Sequence, residues 1–140
     1  MKPDRIRFAA DVPHWLRAHC RRWFRLLFPD DWRLSIQMQD ADELEQEHGE
    51  GTVAVTVSLP TYLDAAVWFG DGIENREDVW RLVAHEFLHS HHQPVMELFN
   101  LAWDGRRKMA KQDVAAMLAD LIEQMIQREV AIIAKLKGLP

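Results

Sequence analysis

One cysteine, Cys20, stands among 140 residues, so no intrachain disulfide can close. A lone thiol suits a reducing compartment, and the expected location is the cytoplasm. Long apolar runs are missing as well: none approaches the ~18 consecutive apolar residues that a membrane-spanning helix needs. The opening stretch MKPDRIRFAADVPHW has no apolar centre of the kind that marks a secretory signal, so neither export nor membrane embedding is expected. Positive charge is not in excess either. The formal net charge of −5 argues against broad, charge-driven binding of nucleic acid. There is no internal repeat and no low-complexity tract.

What remains is the balance of a globular protein. Apolar residues make up 48% and charged residues 28%, which excludes general disorder, and six tryptophans imply a well-filled interior. The length is enough for one domain with a real core and too little for two, so residues 1–140 are read as a single domain.

Between residues 13 and 28, Leu16, Cys20, Trp23, Phe24 and Leu27 recur at helical spacing, with Arg17, Arg21, Arg22 and Arg25 mostly elsewhere. This predicts an amphipathic helix whose basic side is a solvated face. The period then changes to two. Leu34, Ile36 and Met38 alternate with Arg33, Ser35 and Gln37, and Val53, Val55, Val57 and Leu59 alternate with Thr52, Ala54, Thr56 and Ser58; both patterns predict strands. The acidic run from Asp40 to Gly51 between them reads as a solvated loop. A third strand is expected from Tyr62 to Phe69. Helix returns after Asn75, a good N-cap with Glu77 and Asp78 in the first turn, and is expected to stop near His92 because Gln93 precedes Pro94. A further short helix, Val95 to Trp103, and a long one, Asp113 to Lys137, complete the chain. The expected class is α+β: an N-terminal helix, a small antiparallel or mixed sheet of about three strands, a histidine-bearing helix and a long C-terminal helix.

Four of the seven histidines, His85, His89, His91 and His92, fall within the stretch HEFLHSHH. Residues four apart share a helix face, so His85 and His89 can aim ring nitrogens at one point. Glu86 follows His85 directly, where a carboxylate lies beside the open position of a metal and can accept a proton from water. With this chain's residue frequencies an accidental H-E-x-x-H is expected only about twice in a hundred such chains, and the motif sits on a capped, apolar-patterned helix after strands. A divalent metal site with a hydrolytic water is the reading. Zinc held by three protein groups leaves a fourth position for water, whose pKa falls from about 15.7 toward ~7 in such sites.

The third ligand must come from elsewhere. His92 shares the face of His85 but lies ~10.5 Å further along the axis, and the metzincin pattern fails because His92 stands where glycine is needed and Val95 where the third histidine would be. On the long helix the apolar stripe is taken as Val114, Leu118, Leu121, Ile122, Met125, Ile132, Ile133 and Leu136, and Glu129 falls near its middle. A buried carboxylate is costly unless paired or coordinated to a cation. Glu129 is therefore the expected ligand and Glu123 the runner-up. His91, His92 and Tyr62 are candidates for steadying an oxyanion or for supporting the ligands, against a helix-end role for the histidines and a core-covering role for the tyrosine. The strand from Tyr62 to Phe69 is either an edge that pairs with extended substrate or an internal strand.

With His85-Glu86-Phe87-Leu88-His89, the following His91 and Pro94, and a late helix bearing Glu129, Ile133 and Leu136, the chain resembles the zincin superfamily, and within it small gluzincin-type metallopeptidases of bacteria and their phages. The resemblance covers about the last two thirds of the chain. It implies a zincin core, a Zn2+ ion held by two histidines and one acidic group, Glu86 as general base, and a peptide or protein as substrate. The asparagine-glutamate-x-x-x-aspartate motif of larger gluzincins is missing, which leaves the third ligand to the argument above. The alternative class is a metal-binding interaction module of a phage or prophage system with little or no catalysis. Oligomeric state is not legible.

Overall fold

The computed structural model describes residues 4–28, 30–59, 63–102 and 108–140. A short strand opens the chain, β1 (Ile6–Phe8), followed by helix α1 (His14–Leu27) and strand β2 (Arg33–Gln39). β1 and β2 pair in parallel, Ile6 with Leu34 and Phe8 with Ile36. Parallel neighbours need a crossover, and α1 supplies it. The helix forms where the apolar spacing requires: Leu16, Cys20, Trp23 and Phe24 are its buried side chains. Of the arginines between them, Arg17 turns back to donate to the carbonyl oxygens of Val12 and Ala9.

Helix α2 (Ala41–His48) replaces the expected loop. Its only buried residue is Leu44, so there is no apolar stripe to betray it. The signal lies in the cap: the Asp40 side chain accepts from the backbone N–H groups of Asp42 and Glu43, and acidic residues occupy the first turn. Gly49, at φ +110°, closes the helix in a conformation that a side chain would resist.

Strands β3 (Ala54–Leu59) and β4 (Asp64–Gly70) complete a sheet of order β1-β2-β4-β3. It has four strands, not three, because the three-residue β1 is too short to show a period. The sheet is mixed: β2 and β4 run parallel, and β3 and β4 antiparallel. The third expected strand is therefore internal, paired along both sides, and β3 forms one edge, with β1 at the other. Tyr62 lies outside the described residues.

The register of β3 is unexpected. Thr56 pairs with Val67 and Ser58 with Ala65, both on the buried face, so the polar set of the alternation points inward while Val57 and Leu59 are exposed.

Helix α3 (Val79–Ala102) and helix α4 (Lys108–Lys137) follow. α3 is continuous through Pro94, where two helices had been expected; the proline removes one helical N–H without ending the element. α4 begins five residues before the expected start. One face of the sheet carries the core: Leu34 and Ile36 of β2 and Val67 and Phe69 of β4 join Leu16, Trp23 and Phe24 of α1 and Val83 and Phe87 of α3. Trp23 stacks on Trp80, with centroids 5.2 Å apart. α4 packs on α3 through Ile122, Ile126, Val130 and Ala134, spaced by four.

Candidate metal centre

Two turns of α3 and one of α4 bring three side chains to a point. His85 and His89, one helical turn apart, approach with their Nε2 atoms 3.2 Å from each other. Glu123 reaches across from α4. Its Oε1 lies 2.7 Å from His89 Nε2 and its Oε2 3.2 Å from His85 Nε2. All three side chains are partly exposed, at the wall of an open cleft of about 730 Å³ that is also lined by residues 51–56 of the edge strand and its approach.

Glu86 is buried, 6% exposed, and offers an oxygen within 4.8 Å of the ligand nitrogens of His85 and His89. Its Oε2 accepts a hydrogen bond of 2.6 Å from Thr56 Oγ1 on β3. The same hydroxyl lies 3.0 Å from the backbone carbonyl oxygen of Glu86, and with one proton to give, it favours the shorter contact. Thr56 was not anticipated from sequence. The one available sign was that a polar residue alternates within the clearest strand pattern.

Burial holds the His89 imidazole below its ordinary pKa, opposed by the carboxylates of Glu86 and Glu123 and reinforced by His85 and His92. A neutral ring near pH 7 presents a lone pair. Two imidazole nitrogens and two carboxylate oxygens thus share one small volume, where they repel unless a proton or cation lies among them. Ligand atoms about 2.1 Å from a tetrahedral zinc are ~3.4 Å apart, close to the 3.2 Å between the two Nε2 atoms, while Glu123 presents a different oxygen to each histidine, at 3.2 and 2.7 Å. The donor set, two nitrogens and a carboxylate, suits zinc.

Glu129 lies elsewhere. Its Oε1 is 2.9 Å from His92 Nε2, forming a second link between α3 and α4. The expected stripe was centred too far round the helix. α4 buries the row from Ile122 to Ala134, while Leu121, Met125, Ile132 and Leu136 face solvent, so Glu129 flanks the contact and Glu123, on its other flank, meets the histidines. His92 is engaged by Glu129 and does not line the cleft. His91 is turned from the cleft onto the rings of Phe28 and Trp32, with centroids at 5.2 and 6.4 Å, and burial depresses its pKa. The four residues brought together are His85, Glu86, His89 and Glu123. No family model matches the chain, and neither a curated protein nor a solved structure does.

Proposed function

We propose that the protein is a zinc-dependent metallopeptidase of zincin type. The observation that carries this reading is the convergence of His85, His89 and Glu123 on one point of an open cleft, with the buried Glu86 carboxylate beside it. His85 and His89 would hold the ion through Nε2 and Glu123 through its carboxylate. Zinc there supplies a Lewis acid and lowers the pKa of a water molecule toward neutrality.

The chain's own residues do the rest. Glu86 accepts the proton of the attacking water and later delivers it to the leaving amine. Thr56 fixes one Glu86 oxygen, so the other is free for the proton at a defined place. The cleft is walled by α3, α4 and residues 51–56 of the edge strand and its approach, and a strand edge beside the site suits an extended chain over a compact ligand.

The test is metal analysis of the purified protein beside cleavage of a broad peptide library. One bound zinc per chain is expected, with cleavage abolished in Glu86→Gln and its zinc retained. A Glu86→Gln variant as active as the parent removes the proposed base. Zinc in full with no cleavage of any peptide or protein tried points instead to the metal-binding interaction module.

A further inference from the structure

α4 has a second apolar face that nothing in the described structure covers. Met117, Leu121, Met125, Ile132 and Leu136 are each about half exposed or more, Leu136 reaching 80%. At 100° per residue they fall in a sector of ~100°, beside the row that packs on α3. Scattered exposed apolar residues are ordinary; five in one stripe ~28 Å long, interrupted only by Arg128, mark an interaction surface.

Its spacing says what fits. The exposed positions along the stripe are Met117, Leu121, Met125, Arg128, Ile132 and Leu136, separated by 4, 4, 3, 4 and 4 residues, a pattern that reads the same from either end. Reversed and laid on itself about the point between residues 126 and 127, it sets Met117 against Leu136, Leu121 against Ile132 and Met125 against Arg128. A two-fold axis demands this of a surface that binds its own copy. The polar residues agree. Asp120 and Lys135, both exposed, flank the stripe on one side, and the reversal brings each Asp120 within ~3 Å, along the axis, of the partner's Lys135, once at each end. A parallel pair would instead oppose Arg128 to Arg128 in the seam, like charge against like. Reversed, each Arg128 lays its aliphatic stem on Met125 and keeps its guanidinium at the surface.

We infer that this protein forms a two-fold dimer through antiparallel packing of α4 on α4, with the stripe from Met117 to Leu136 as the seam and Asp120–Lys135 pairs at its ends. The inference is independent of the catalytic reading, since Glu123 and the cleft lie on another side of the helix.

Sedimentation velocity on the full chain at micromolar concentration tests it. The parent should run as a dimer, and Leu121→Glu and Ile132→Glu should each weaken association at least about tenfold while circular dichroism stays helical, because both side chains are exposed in the protomer. The charge arm distinguishes this dimer from any other. Asp120→Lys alone and Lys135→Asp alone should loosen the dimer, and the two together should restore it, the reversed pair re-forming between copies. A monomeric parent overturns the inference. So does a dimer indifferent to Leu121→Glu and Ile132→Glu, or a double charge variant no tighter than the singles. Should an apolar-to-Glu variant misfold, the charge variants decide alone, since their sites are solvated.

Discussion

Glu123 and Glu129 stand six residues apart on α4, and only one can matter to a cation at His85 and His89. Glu123 touches both imidazoles, whereas Glu129 is held by His92. Removing a carboxylate ligand costs more than disturbing the groups that orient one, which already weakens metal binding about 10- to 100-fold. Glu123→Ala should therefore lower zinc affinity by more than about a hundredfold in a competition titration, and Glu129→Ala should leave it within a few-fold of the parent. The reverse order would restore the assignment first drawn from sequence. Thr56 tests the proposed base. Thr56→Val keeps shape but removes the hydroxyl that Glu86 accepts from, so zinc content should hold while kcat falls about 10- to 100-fold at near-constant KM, and Thr56→Ser should recover most of the loss. Loss of zinc in Thr56→Val, or no rescue by serine, would reassign Thr56 to packing.

At the scale of elements, what sequence revealed follows from how strongly each pattern is imposed. His85 and His89 share a site because four-residue spacing on a helix leaves no choice, and Glu86 sits beside them as the next residue in the chain. α1 and β2 were legible for the same reason: each has one buried face and a matching period. α2 was hidden because it buries a single residue, Leu44, and a helix with one anchor shows only in its cap. β1 was hidden by brevity. α4 misled in a more instructive way. Its apolar sector is broad enough to hold two faces, one for α3 and one exposed, and a stripe averaged over both is centred between them, at Glu129. The partner that divides the sector is not written in the helix. Pro94 is the other misreading. α3 continues through it, leaving the Ser90 carbonyl without a helical N–H. Pro94→Ala restores that donor, partly offset by a freer unfolded chain. A net gain of about 1–2 kcal/mol is expected, which raises Tm by roughly 3–8 °C for a chain of this size. An unchanged or lower Tm by calorimetry would show that the helix is adapted to the proline.

For the whole molecule, two partly buried histidines away from His85 and His89 tie stability to pH. His19 is depressed by burial and by neighbouring Arg22. His91 is depressed by burial against Phe28 and Trp32 and by His92, with a backbone hydrogen bond at Leu27 and the Glu129 carboxylate working the other way. In the unfolded chain both rings take up protons as the pH falls through about 6.5; in the folded chain they do so only lower. Between those limits the unfolded state carries more protons, so stability is lost as the pH falls, and the loss levels off once both folded rings are charged. Urea midpoints measured with a chelator present, so that protonation of His85 and His89 releases no metal during the experiment, should be lower at pH 5.5 than at pH 7.5. The difference should shrink in a His19→Gln, His91→Gln variant, which has neither ring to protonate. A midpoint that does not fall on acidification, or a fall that survives both substitutions intact, would place the acid sensitivity in other groups.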